Sequence, residues 1–313
     1  MPYPLPLQKY LPTASHVVCG AMTISTPDEA RAVIDTAIAA GITMFDHADI
    51  YNAGRAEAAF GTVLKASPGL RDDMIIQSKC GIRFGDDLGP GRYDWSRDWI
   101  VQSVESSLKR LHTDFLDVLL LHRPDPLMDP AELNAAFEEL HAAGKVRHFG
   151  VSNQNVAQMM FLDKHLERPL VANQIEMSLL HSHWVDDVVT VNDEQRHSNR
   201  FSSGTVEHCR HHGIQLQAWS SLCQGMLSGR DTAQASDAVK TTAAMVTKLA
   251  NTYEVSREAI VLGWLLRHPA GIQPIIGSIK PERIRACAEA TKFEMTREDW
   301  WALYVSARDQ RVP

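Results

Sequence analysis

Eight short apolar runs recur along the 313-residue chain, and stretches with helical spacing separate them. The runs cover residues 16–20, 42–46, 74–79, 115–121, 147–151, 171–174, 214–219 and 272–276. They are too short for isolated helices and read as buried strands. Residues 28–40 repeat Ala, Val and Ile at helical spacing, follow Pro27 and stop at Gly41, which predicts a helix. Residues 96–111, 130–143 and 281–291 behave the same way. The strand–helix units average about 35 residues between positions 16 and 291, with no break in composition that would mark a linker. Strand–helix alternation implies parallel β-structure. Eight units suit a (β/α)8 barrel better than an open doubly wound sheet, and no GxGxxG follows the first run. The expected fold is therefore α/β, a (β/α)8 barrel forming one domain over residues 1–313.

Three segments exceed the minimal barrel. Residues 81–96 follow strand three and carry Arg83, Phe84, Tyr93 and Trp95; residues 181–201 follow strand six and are polar. In a barrel both would lie on the functional face, so they are expected to shape a pocket. Residues 294–313 form a C-terminal extension whose Trp300, Leu303, Tyr304 and Ala307 make a helical stripe, expected to pack across the barrel or cover its edge.

Charge and composition narrow the function classes. The 31 Lys and Arg against 38 Asp and Glu give −7, which argues against a nucleic-acid binder. Hydrophobic residues make up 44%, which argues against disorder. No apolar run approaches the roughly 20 residues of a membrane span, and residues 1–11 lack a signal-peptide core. Five cysteines without a CxxC pair favour a reduced, cytoplasmic compartment.

Most of the runs end in a reactive or hydrogen-bonding side chain: Asp46, Lys79, His122, Ser152 with Asn153, Gln174, and Ser220 with Ser221. Those ends converge in a barrel, so the set predicts a site. Asp46 and Lys79 would sit on neighbouring strands as a partly buried ion pair. Tyr51 lies five residues past Asp46. A nearby ammonium would lower its phenol pKa from about 10 and make it a proton donor. His122 could hydrogen-bond a substrate oxygen. Acyl transfer lacks a nucleophile, because no Gly-x-Ser-x-Gly elbow is present.

These motifs resemble the aldo-keto reductase superfamily. They are His47-Ala48-Asp49-Ile50-Tyr51 after Asp46, GRAEAAFG at 54–61, Ser78-Lys79-Cys80-Gly81, LLLHRPDP at 119–126, GKVRHFGVSN at 144–153 and Asn173-Gln174-Ile175-Glu176. The resemblance implies NADP(H)-dependent reduction of a small aldehyde or ketone on a (β/α)8 barrel. Tyr51 would be the acid, tuned by Lys79 and Asp46, and His122 would orient the carbonyl. Ser152, Asn153 and Gln174 match residues that hold the nicotinamide carboxamide, and Trp219 the position of a stacking ring. Ser220, Leu222 and Gln224 match the pyrophosphate loop; Ser278, Lys280 and Arg283 match the adenosine-phosphate region. The sequence departs at Gly277, where a Lys often opens the phosphate motif, and at Cys287, where Asn or Gln commonly contacts adenine.

Other candidates have plainer readings. Glu57 is divided between a contact to the cofactor's adenine end and a place on a helix surface. Cys80 reads as a small buried residue. His208, His211 and His212 could share a helix face but lack the further ligands of a closed metal site. His181, His183 and His197 read as solvated, Trp300 and Trp301 as packing residues, and Asp125 as structural. The competing function is a cofactor-binding regulatory subunit that senses nicotinamide redox state; a barrel hydrolase or lyase would need a metal site or paired carboxylates. Oligomeric state is not legible.

Overall fold

The structure, a computed structural model, describes residues 2–193 and 200–313. His197 and its neighbours at 194–199 lie outside the described residues. Eight strands are β1 (Val18–Gly20), β2 (Met44–Asp46), β3 (Ile75–Cys80), β4 (Leu116–Leu121), β5 (Val146–Ser152), β6 (Leu170–Glu176), β7 (Gln215–Trp219) and β8 (Gln273–Ile276). They are all parallel and close on themselves in sequential order, with Val18 of β1 in register with both Met44 of β2 and Ile275 of β8. The fold is the expected (β/α)8 barrel, and every predicted run becomes a strand.

The helices are α1 (Pro27–Ala39), α2 (Arg55–Ala66), α3 (Arg97–Leu111), α4 (Pro130–Ala142), α5 (Val156–His165), α6 (His183–Val189), α7 (Thr205–His212), α8 (Asp237–Tyr253), α9 (Arg257–Leu266), α10 (Pro281–Ala288) and α11 (Arg297–Arg308). Local chemistry sets their starts. Thr26 caps α1 by accepting from the Glu29 N–H while the Glu29 side chain returns to the cap, and Pro27 opens the first turn. Asp129 with Pro130 does the same work for α4. Gly61 is needed for packing, since a Cβ there would collide with the backbone carbonyl of Arg110 at the end of α3.

One apolar layer lies between strands and helices, and a second fills the amino end of the barrel. The second combines Val18, Met44, Ile75, Val118 and Ile275 with Leu7 and Leu11 from the N-terminal segment. That segment makes a 3-10 turn at Pro6–Lys9, and the Leu7 N–H donates to Gln215 Oε1 at 3.4 Å. This plug, not legible in the sequence, lies opposite the strand ends that carry the polar residues.

The three extra segments take distinct forms. Residues 81–96 form a short antiparallel hairpin, Ile82–Arg83 with Arg92–Tyr93, held by Arg83 to Asp86 and Asp94. Of the described residues in 181–201, the turn of α6 packs outside the barrel, where Trp184 meets Trp264 and His268 edge-on. The extension does not cross the barrel mouth. It lies as α11 on α8 and α9, where Trp300 stacks on Trp264 at 5.0 Å and the two indoles donate to each other's backbone carbonyls. Tyr304 and Arg308 tie it to Asp186 of α6 at 2.6 and 2.9 Å.

The plug generates a test. Leu7 is wholly buried, so Leu7→Ala should lower unfolding free energy by about 2–4 kcal/mol in urea denaturation. A loss below about 0.5 kcal/mol would mean the segment contributes no packing.

Candidate active site

A cavity of about 960 Å3 opens at the carboxyl end of the strands. Side chains pointing inward alternate along each strand, and they form layers. On β3, Ile75 faces the apolar plug, Gln77 the middle of the barrel, and Lys79 the cavity floor. Lys79 is completely enclosed. An ammonium has three protons, and each finds an acceptor: Asp46 Oδ2 at 2.7 Å, the His47 carbonyl at 2.9 Å and the Tyr51 hydroxyl at 2.9 Å. Burial pulls the Lys79 pKa down, but Asp46 and Tyr51 outweigh it and hold the ammonium above its usual range. Because Tyr51 accepts from Lys79, its own proton is free to turn toward the cavity that the ring lines.

The phenol departs from expectation in one respect. Its pKa lies above the ordinary value, because burial raises it more than the Lys79 ammonium lowers it. Tyr51 therefore keeps its proton at neutral pH. His122, past the end of β4, sits edge-on to Tyr51 with ring centroids 6.1 Å apart. Burial, with Lys79 and Arg123 nearby, lowers its pKa to about 3, so the imidazole is neutral.

All the cofactor-site candidates line this same cavity. On β5 and β6 the Ser152 hydroxyl donates to the Gln174 carbonyl at 2.8 Å, and the Gln174 amide donates to Asp46 Oδ1 at 3.0 Å. Asn153, in the left-handed region at φ 60°, donates to the His122 carbonyl and accepts from the Trp219 indole at 3.2 Å. Trp219 is thereby fixed at the end of β7. Past it, Ser220, Cys223, Gln224 and Gly225 all have positive φ, and the loop folds back along the cavity wall with Leu222 and Gln224. Ser278, Lys280 and Arg283 gather where α10 begins. Lys280 is exposed and has no ion-pair partner among the described residues, whereas Arg283 pairs with Glu258 at 3.5 Å and reaches the Ser228 hydroxyl. Gly277 has open space around it.

Several expectations are corrected. Glu57 is neither on a helix surface nor at the cavity: it is wholly buried, accepting from Ser78 Oγ at 2.6 Å and pairing with Arg110 at 2.7 Å. Cys287, at the position where Asn or Gln commonly contacts adenine, is buried in the core, in line with that departure. Of the two long loops only Ile82 lines the cavity among the described residues, while Trp300 and Trp301 are packing residues, as expected. His183 is paired with Asp186 at 3.3 Å rather than solvated. Asp125 is structural, as expected, accepting from the Trp95 and Leu127 N–H groups. No group of metal-binding side chains occurs among the described residues.

Beneath the ion pair lies a layer of amides that the apolar runs conceal. Gln77 and Gln174 donate to Asp46 Oδ1 and to Gln217 Oε1, Gln217 donates to Gln273 at 2.9 Å, and Gln273 donates to the Ser15 carbonyl at 2.6 Å. A signal was present, since Gln77 and Gln217 stand two residues before Lys79 and Trp219 and so share their inward face.

The chain matches the model of the Aldo/keto reductase family over residues 16–304. It is 41% identical over 275 residues to Oxidoreductase YdhF of Escherichia coli, covering 87% of this chain and 85% of that protein. To 6-dehydroglucose reductase of Agrobacterium fabrum it is 37% identical over 297 residues, 92% of this chain and 91% of the relative. Among solved structures, the aldo/keto reductase from Klebsiella pneumoniae in complex with NADP and acetate superposes with a TM-score of 0.69 at 26% identity, covering 93% of this chain and 90% of that chain.

Asp49, beside this site, supplies a pH test. Its Oδ1 is buried without a partner, and burial together with Glu57 raises the carboxyl pKa to about 7. The folded state thus holds a proton that the unfolded chain releases near pH 3.9, so stability falls as pH rises from about 4 to about 7. Asp49→Asn should match wild type near pH 4 and exceed it at pH 8 by on the order of 1–3 kcal/mol. Identical urea midpoints at pH 8 would contradict the shift.

Proposed function

The chain belongs to the aldo/keto reductase family, and on that premise we propose that it reduces an aldehyde or ketone to the alcohol with NADPH. The observation that carries the reading is the Lys79 ammonium shared between Asp46 and Tyr51 at the floor of the cavity, with His122 beside the phenol.

The residues suit a phosphate-bearing dinucleotide. The cavity has cations at the start of α10, a positive-φ loop along one wall, and an indole and amides near Tyr51. Ser152, Asn153 and Gln174 would hold the carboxamide, Trp219 would lie against the nicotinamide, and Ser220, Leu222 and Gln224 would follow the pyrophosphate. Ser278 and Lys280 would meet the adenosine phosphates, with Arg283 shared between them and Glu258. When bound, the reduced nicotinamide supplies the hydride.

The chain's own groups supply the rest. Neutral His122 donates a hydrogen bond that orients the carbonyl oxygen toward Tyr51. As negative charge builds on that oxygen, Tyr51 gives up its proton, and the carbonyl becomes a hydroxyl. Its raised pKa keeps the proton in place until then. Lys79 stabilises the phenolate left behind, and Asp46 keeps Lys79 charged. The layer of amides holds Asp46 in place.

Tyr51→Phe should reduce kcat about 10²–10⁴-fold with 4-nitrobenzaldehyde while leaving NADPH affinity nearly unchanged. Retained wild-type kcat, where chemistry limits the rate, would rule out Tyr51 as the acid. Very slow wild-type turnover of every aldehyde tried would instead favour a redox-sensing regulatory subunit.

NADPH should be preferred over NADH, with Lys280 the main cause because Arg283 already has a carboxylate. Lys280→Ala should weaken NADPH binding by at least about 1 kcal/mol at fixed salt and leave NADH almost unaffected. Equal losses for both nucleotides would place Lys280 on their shared pyrophosphate or in the fold.

A further inference from the structure

The cavity carries a cation that the proposed reduction does not use. Arg123 follows His122 directly, is half-buried and lines the cavity. Among the described residues no carboxylate or carbonyl accepts a hydrogen bond from its guanidinium. Its contact is with the Trp219 ring, whose centroid lies 5.8 Å from Cζ. Among the described residues, the other ionisable groups facing the cavity do not neutralise it. Asp46 is held by Lys79 at 2.7 Å, Tyr51 and His122 are neutral, and Lys280 and Arg283 are cations themselves. Asp125, two residues on, spends its oxygens on the Trp95 and Leu127 N–H groups.

The backbone carries Arg123 on the side of the ring away from Lys280, although its guanidinium reaches in to Trp219. Arg123 follows β4, whereas Lys280 follows β8, and the two strands stand on opposite sides of the eight-stranded ring. A guanidinium is charged at all accessible pH values, and its planar fork matches a carboxylate in two parallel hydrogen bonds. Partial burial without an acceptor leaves that capacity unfilled. Ile50, Ile82 and Met22 on the same cavity provide an apolar wall for a carbon skeleton.

We propose that Arg123 binds a carboxylate carried by the substrate, so that the protein prefers aldehydes or ketones that are also acids. This rests on the reading of the site as a carbonyl-reducing centre. The carbonyl oxygen would lie between Tyr51 and His122, and the carboxylate would meet the next residue in the chain. Arg123 acts on the ground state and the transition state alike, so its contribution appears mainly in KM.

The test uses NADPH with 4-carboxybenzaldehyde and with its neutral methyl ester, on the full chain and on Arg123→Met and Arg123→Lys. The wild type should favour the acid in kcat/KM, and added salt should shrink that preference. Arg123→Met should lower the acid-to-ester ratio about ten- to a hundredfold, with Arg123→Lys in between. Wild-type turnover of both compounds without preference for the acid overturns the assignment, and so does a ratio unchanged in Arg123→Met. An equal loss of NADPH affinity in Arg123→Met would assign the cation to the cofactor and overturn it too. If the wild type reduces neither compound, the carbonyl-reducing reading fails first.

Discussion

The Lys79–Asp46 pair is the constraint around which the rest of the barrel is arranged. Moving an ammonium and a carboxylate out of water costs several kcal/mol each, and their attraction repays this only when every remaining proton and lone pair is used. Here the accounting closes on the ammonium: Asp46, the His47 carbonyl and Tyr51 take its three protons. It closes on the carboxylate as well, because Oδ2 faces Lys79 and Oδ1 accepts from Gln77 and Gln174. Tyr51 is thus the third acceptor that the buried ammonium requires. The same contact that satisfies the charge sets the phenol in the cavity and leaves its proton free to face it.

Such a pair also dictates what lies beneath it. An apolar layer directly below would leave Asp46 Oδ1 unmatched, and water there would weaken the pair. The barrel instead grades from hydrocarbon through amides to charge. Leu7 and Leu11 plug the amino end, Gln77, Gln217 and Gln273 form a directed chain in the middle, and Asp46 with Lys79 occupies the top. Asp46 can only accept, so the amides of Gln77 and Gln174 must turn their nitrogens toward it. Their remaining N–H groups then share Gln217 Oε1, which fixes the rest of the chain down to Ser15. Burying so many polar groups is tolerable because most are paired, with Gln77 Oε1 and the His47 ring nitrogens among the exceptions.

This grading explains which features could be read from the sequence. Asp46, Lys79 and His122 stood out because each ends an apolar run, where a polar residue breaks the pattern. Gln77 and Gln217 break it too, but inside the runs, where one amide between β-branched and aliphatic neighbours reads as tolerated noise. Glu57 was misplaced because its partner Arg110 stands on the next helix and Ser78 on the strand between. Helical periodicity alone could not reveal that contact, which depends on the Gly61 approach of α2 to α3. The Tyr51 pKa was misjudged for a related reason: the lysine was visible in the sequence, the depth of burial was not. Likewise Arg283 looked like a free cation until α9 placed Glu258 beside it.

The net charge of −7 and the charge inside the cavity have opposite signs, and the difference follows from the buried pair. Among the described lining residues the one carboxylate is Asp46, and Lys79 cancels it from behind. What remains facing the cavity is Arg123 on one side of the ring and Lys280, with the partly compensated Arg283, on the other. A cleft with low-dielectric walls focuses such a field, so anions are drawn in while the negative exterior repels them elsewhere. Two cationic regions on opposite sides of a neutral, proton-bearing centre suit two anionic ligands that meet there. Neither region needs to perturb Tyr51, because the Asp46–Lys79 pair is neutral as a unit and the phenol answers mainly to its burial. On the proposed reading, proton chemistry and charge recognition are separable in this barrel: the first would reside in the enclosed floor, the second in side chains carried by loops at its rim.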